Sequence, residues 1–201
     1  VADTESGTAG ARARKRVDAR RNDETLLKAA AAAFVASGVD APVRDIAARA
    51  GVGVGTIYRA FPTRAELIVA VYRHQVEECA AAGPALLAAG DSPYAALVRW
   101  IDLFVDFLVT KHGLAAALHS DDATFADLHR WFLERLAPVC ADLLDAAAAS
   151  GEIGSGTTAF ELMYAVGNLC VGAGKDPRYD VRRVVGLMLA GLRRDPTAAG
   201  T

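Results

Sequence analysis

The chain is 201 residues long, 53% hydrophobic and 23% charged, which supplies a core for one or two domains and excludes disorder along the whole length. Its net charge of −2 gives no reason by itself to expect nucleic acid, but residues 1–72 hold 11 Lys/Arg against 8 Asp/Glu and residues 73–201 hold 11 against 16. A basic end on an acidic body points to two tasks on one chain. Cys79, Cys140 and Cys170 form neither a disulfide framework nor a zinc pattern, and the longest purely apolar run, Ala29–Ala36, is far short of a membrane span. With no apolar leader in VADTESGTAG, the expected location is the cytoplasm.

Alanine is abundant, β-branched runs are short and a 3.6-residue period recurs, so the chain reads as all-α. Residues 1–20 are small, polar and charged without periodicity and read as a flexible basic arm; six of the ten residues 12–21 are basic. A first helix is expected from Asn22 as its cap to Gly38, with Leu26, Leu27, Ala30, Ala33 and Phe34 on one face. Short helices follow over Val43–Ala50 and Val54–Phe61, joined by Gly51-Val52-Gly53 and stopped by Pro62. Thr63-Arg64-Ala65-Glu66 is a capping box for a helix through Ala81, which Gly83-Pro84 should end. Ser92-Pro93 opens a helix from Tyr94 to Thr110, and a short one spans Leu114–His119. A long helix covers Asp122–Ser150, with Pro138 expected to kink or break it. Thr158 and Glu161 box in a helix to Val171, and the last helix runs from Asp176-Pro177 or Asp180 to Arg194. That makes about nine helices with no internal repeat.

The stretch that carries function is VRDIAARAGVGVGTIYRAF, residues 43–61. Ala47 is small where two helices must cross, Gly51 suits a left-handed turn, and Val52 and Ile57 point the second helix into a core. The spacing Ala47-x3-Gly51-x5-Ile57 is that of a helix-turn-helix. Gly55, Thr56, Tyr58 and Arg59 then face outward, small or hydrogen-bonding groups suited to a major groove. The plain alternative is an ordinary bundle hairpin. It would need neither this outward cluster nor a basic arm before the first helix.

At these residues the sequence resembles the TetR family of bacterial repressors. The match runs through LLKAAAAAFVASG (26–38) and VRDIAARAGVGVGTIYRAFPTRAELIVAVY (43–72). The resemblance implies a three-helix DNA-binding domain followed by a larger helical effector-binding and dimerisation domain. It implies phosphate contacts from Thr56, Tyr58 and Arg64, and base or backbone contacts from Arg44, Val54, Gly55 and Arg59. Gly53 stands where the family often has Ser, Arg59 where Tyr, His or Asn is frequent, and Pro42 where a Thr cap is frequent. These departures bear on the target sequence, not on DNA binding itself. The last two helices, at about Thr157–Val171 and Val181–Arg194, look like the family's four-helix dimer interface, where Gly167, Gly172, Gly186 and Gly191 would allow close approach.

Other motifs fall short. Gly51–Gly55 is not a dinucleotide fingerprint, since its third glycine is misplaced and no strand precedes it. Gly174-Lys175 lacks the first glycine and the hydroxyl of a phosphate loop, with Leu169 and Asp176 in those places. His74, His112, His119 and His129 share no i, i+4 pair. Arg193-Arg194 reads as a favourable charge placement at the last helix's end. Trp100, Phe104, Phe107, Phe125, Trp131, Phe132 and Tyr164 read mostly as core. The functional alternative is an effector chamber lined by Trp100, Phe104, Phe107, Leu108, Trp131 and Tyr164, with His119, Tyr164 and Asn168 as polar contacts. Asn168 in an apolar helix needs a partner or a ligand.

The expectation is therefore a homodimeric DNA-binding regulator, a repressor released from its operator by an apolar or weakly polar small molecule. It has no cofactor, metal or catalytic residue. Its parts are a basic arm (1–20), a helix-turn-helix domain (21–66) and a ligand-binding and dimerisation domain (67–201). A ligand-independent dimeric DNA-binding protein and a helical-bundle enzyme stay open as alternatives.

Overall fold

The computed structural model describes residues 22–38, 40–90, 92–118, 122–174 and 176–194, with backbone alone at 110–118 and 122–126. The basic arm, His119 and the Phe125 side chain lie outside that description. Among the described residues the regular elements are helices: α1 (22–37), α2 (Val43–Ala50), α3 (Val54–Ala60), α4 (Arg64–Ala88), α5 (Pro93–Leu118), α6 (Asp122–Ala149), α7 (Ala159–Cys170) and α8 (Val181–Ala190). None of them is long and apolar enough to cross a membrane. The chain divides into two compact units, Val1–His74 and Gln75–Thr201, so α4 supplies residues to both.

In the first unit, α1 buries Leu26, Ala30, Ala33 and Phe34, a stripe at helical spacing, and α2 and α3 bury Ile46, Ala47 and Ile57. Leu67, Ile68 and Val71 of α4 complete this core. Asn22 is already helical, so it does not cap α1. Gly38 ends α1 in the left-handed region at φ 74°. The Thr63 capping box forms in both directions, with Glu66 N–H donating to Thr63 Oγ1 at 3.2 Å and Thr63 N–H donating to Glu66 Oε2 at 3.1 Å.

The second unit packs α5 against α6, α7 and α8 around Leu97, Trp100, Ile101, Phe104, Phe132, Leu136, Leu143 and Val166. Each such side chain, fully removed from water, contributes ~1.5–3 kcal/mol. Trp100 Nε1 donates to the Cys79 carbonyl at 2.9 Å, which satisfies the indole inside the core.

Three of the long-helix boundaries differ from the sequence expectation. α4 runs through Gly83-Pro84 to Ala88. A residue before proline resists helix through clashes of its backbone N–H and its Cβ with the proline ring, and Gly83 has no Cβ. A Cβ there would also collide with Val139 Cγ1, so the bare backbone is what lets α4 lie close to α6. The two expected helices over 94–119 are one, α5, because a lone Gly113 costs only ~1 kcal/mol and does not end a helix. α6 keeps its expected bounds to within one residue and does not break at Pro138. α8 starts at the Asp180 cap but stops at Ala190, four residues early. There the chain turns to pair Arg193 with Ile153, and Arg194 N–H donates to the Glu152 carbonyl at 3.1 Å. Arg193 therefore does not serve the helix dipole; its guanidinium lies 5.2 Å from the Tyr94 ring centroid.

Candidate DNA-reading face and effector cavity

The turn between α2 and α3 is set by Gly51 at φ 67°. Gly51 N–H donates to Ala48 O at 3.3 Å and Val52 N–H to Ala47 O at 3.0 Å, closing the carbonyl end of α2 in a Schellman arrangement. Pro42 and Gly53 precede α2 and α3 without any side-chain cap, as their departures from the family pattern imply. Ile57 faces inward at 1% exposure, which turns the other side of α3 to solvent. Val54, Gly55, Thr56, Tyr58 and Arg59 are all exposed there, Tyr58 at 53%. Arg44 at the start of α2 is 81% exposed and pairs with the neighbouring Asp45 at 3.5 Å, a surface pair of little strength.

Arg64 already has partners within its own unit. It is half-buried, and its Nη2 donates to the Ala41 carbonyl at 2.6 Å. Its guanidinium carbon also lies 6.0 Å from the Phe34 ring centroid. The side chain thereby ties the start of α4 to the α1–α2 connection with a charge-assisted hydrogen bond.

A cavity of about 390 Å³ opens among α5, α6 and α7 of the second unit. Phe104 and Leu108 of α5 form one wall, with Phe132, Leu133 and Ala137 of α6 beside them. Phe160, Met163, Tyr164, Gly167 and Asn168 of α7 form the opposite wall, and His129 stands at the edge. Of the expected lining residues, Phe104, Leu108, Tyr164 and Asn168 belong to it. Trp100, Phe107 and Trp131 do not. Trp100 is sealed at 0% exposure and Phe107 at 2%, stacked on Phe132 with ring centroids 5.3 Å apart, so both are core. Trp131 is half-buried outside the wall. Asn168 finds its partner on its own helix, where Nδ2 donates to Tyr164 O at 3.0 Å. The sequence reading missed Phe160, which stacks on Tyr164 at 5.7 Å. The available signal was an aromatic four residues before Tyr164 on an unburied face.

The thiols take no part in this site. Burial pushes Cys79 and Cys140 up to about 12 and Cys170 to about 11, so all three are inert neutral groups at ordinary pH. Among the described residues no three His, Cys, Asp or Glu side chains are grouped so as to hold a metal ion.

Residues 26–71 match the model of bacterial regulatory proteins of the TetR family, and residues 92–194 match that of the C-terminal domain of SbtR-like transcriptional regulators. A TetR transcriptional regulator from Streptomyces coelicolor is 36% identical, with a TM-score of 0.76 over 85% of this chain and 98% of its own. The chain belongs to the TetR family. The TetR transcription regulatory protein from Mycobacterium vanbaalenii is 31% identical, with a TM-score of 0.69 over 89% of this chain and 99% of its own. The TetR-like regulator LfrR from Mycobacterium smegmatis, solved in complex with proflavine, shares the fold at 20% identity and a TM-score of 0.58, over 88% of this chain and 99% of its own. No curated protein sequence matched the chain. As a TetR-family regulator the protein binds DNA and controls transcription, and its helix-turn-helix is α2 and α3.

Proposed function

We propose that this regulator is a cytoplasmic homodimeric repressor, released from its operator when a neutral, largely apolar molecule fills the cavity of the second unit. The observation that carries the reading is a cavity of about 390 Å³ whose wall, among the described residues, holds five aromatic or imidazole rings and no Lys or Arg. Such a wall suits a flat or extended uncharged molecule and offers nothing to a phosphorylated one. A domain that served dimerisation alone would have no use for this space. The proflavine complex of LfrR supports the idea that this fold can house a flat aromatic ligand.

On the DNA side, Thr56 and Tyr58 take phosphates, while Arg44, Val54, Gly55 and Arg59 approach bases or backbone. Arg64 acts by holding α4 in place. A seven-residue recognition helix reads too few base pairs alone, so two copies must pair to present two half-sites ~34 Å apart or a multiple of it. The exposed apolar residues of α7 and α8 are the surface for that pairing. Release requires that the effector bind the DNA-competent and the splayed states unequally.

Leu108→Trp tests the cavity, since Leu108 lines it from α5. The parent should bind the neutral probe N-phenyl-1-naphthylamine saturably, and the variant should lose that binding while keeping its melt and its affinity for DNA. If Leu108 is only core, the variant should lose ~1–3 kcal/mol of stability to overpacking with no specific change in probe binding.

A further inference from the structure

Four cavity-lining residues, Phe160, Tyr164, Asn168 and His129, are exposed as well. Phe160 and Tyr164 are 65% and 64% exposed, although they are large rings on the wall of an apolar space. They lie one turn apart on α7 and stack on each other, so they form one flat rim. The opposite wall is different. Phe104, Leu108 and Phe132 are 1–4% exposed. The cavity is thus sealed at Phe104, Leu108 and Phe132 and open along α7, with His129 of α6 at its edge.

The open rim continues into a larger apolar surface. Val171 stands one turn beyond Asn168 and is 49% exposed. On α8, which packs beside α7, Leu187 is 66% exposed, with Gly186 and Ala190 exposed next to it. A Cβ built on Gly167 or Gly186 would meet nothing within 4 Å, so the surface is also free of obstruction. Phe160, Tyr164, Val171 and Leu187 together leave roughly 450 Å² of apolar side chain in water, near the top of what a monomer shows. A standard interface buries ~800 Å² per partner, and this patch supplies roughly half of that as apolar area.

We propose that a second copy of this chain closes the cavity: Phe160 and Tyr164 are shared between the effector site and the dimer interface, and the effector is held at the seam of two subunits. This rests on the α7–α8 dimer of the preceding section. In a two-fold interface the same rim occurs on both chains, so each subunit covers its partner's opening. The cavity of a lone chain is a half-site. An effector then binds the dimer more tightly than the monomer, and by reciprocity it changes the dimer's affinity by the same factor.

The test needs no identified effector. Ala137 lines the cavity from α6, and Ala137→Cys places a thiol inside it. The native cysteines are buried, so iodoacetamide reports on the new thiol alone. Leu187→Asp puts a charge on the patch without touching the cavity wall. Sedimentation velocity fixes the oligomeric state, and mass spectrometry follows labelling. Ala137→Cys should be alkylated at least ten times more slowly in the dimer than in the Ala137→Cys/Leu187→Asp monomer. Tyr164→Cys, at the rim, should behave the same way and serves if Ala137→Cys does not fold. Equal labelling rates in dimer and folded monomer would overturn the shared site while leaving the dimer intact. A parent that sediments as a monomer, or a Leu187→Asp variant that still sediments as a dimer, would instead overturn the α7–α8 pairing, and the shared site with it.

Discussion

Arg64→Ala separates a structural arginine from a phosphate-binding one. The substitution removes the Nη2 bond to Ala41 O at 2.6 Å and the contact with Phe34 at 6.0 Å. Hydrogen bonds to charged groups contribute ~1.5–3 kcal/mol, and a partly exposed cation over a ring adds about 0.5–1. Ala41 is 1% exposed, so its carbonyl has little chance of finding water instead. Since Arg64 is itself half-buried, the lower part of the range applies, and the loss should be about 2–3 kcal/mol. For a chain of this size that lowers Tm by roughly 5–10 °C. Arg64→Lys keeps the charge but offers no planar fork to stack, so it should recover less than half of the loss. Circular-dichroism melts measure this, alongside DNA binding by fluorescence anisotropy across a salt series at 15 °C. The salt slope of Arg64→Ala should match the parent's. A parent-like melt together with a slope shallower by about one unit would refute the reasoning and return Arg64 to the phosphate backbone.

Gly83→Ala should cost ~1–3 kcal/mol by overpacking against Val139, less ~1 kcal/mol of improved helix propensity, and Val139→Ala in the same chain should relieve most of the net loss in a double-mutant cycle. Glu152 gives a pH dependence. The Ser92 hydroxyl and the Tyr94 N–H, which donates at 3.0 Å, hold its carboxyl below the ordinary range. Its contribution is therefore fully present above the unfolded glutamate range near pH ~4.3 and is lost as pH falls through the lower folded value. Glu152→Gln should melt below the parent at pH 7, and thermal melts between pH 7 and pH 3 should show that gap narrowing; a gap constant with pH would contradict the assignment.

The helix-turn-helix was legible because its signals are local. Gly51 must adopt a left-handed turn and Ile57 must turn inward, and both requirements fall within one short stretch of chain. Val43–Ala50 was found to the residue and α3 to within one. The long helices were less legible, because their ends are decided by distant partners. Gly83-Pro84 carries a breaker's signal, yet Gly83 is where α4 meets Val139. Helical spacing placed Trp100, Phe104 and Leu108 on one face of α5 but could not say what lies opposite each turn. Trp100 meets the Cys79 carbonyl of α4 and is sealed, while Phe104 and Leu108, one and two turns on, reach the space beside α7. The tie that Arg64 makes was not legible for the same reason. The residue's position in the motif is local, but Ala41 lies 23 residues away.

The central claim is that α3 presents Tyr58 and its neighbours to DNA, and selection of binding sites from a random duplex library tests it most directly. Tyr58 is 53% exposed, so Tyr58→Ala should fold and melt like the parent. The parent should enrich an inverted repeat whose half-site centres lie one helical turn or a multiple apart, and its affinity should fall steeply with salt. Tyr58→Ala should bind the enriched duplex at least tenfold more weakly, with a salt slope lower by about one unit. Enrichment of no sequence by the parent, or an unchanged affinity and slope in Tyr58→Ala, would contradict the account.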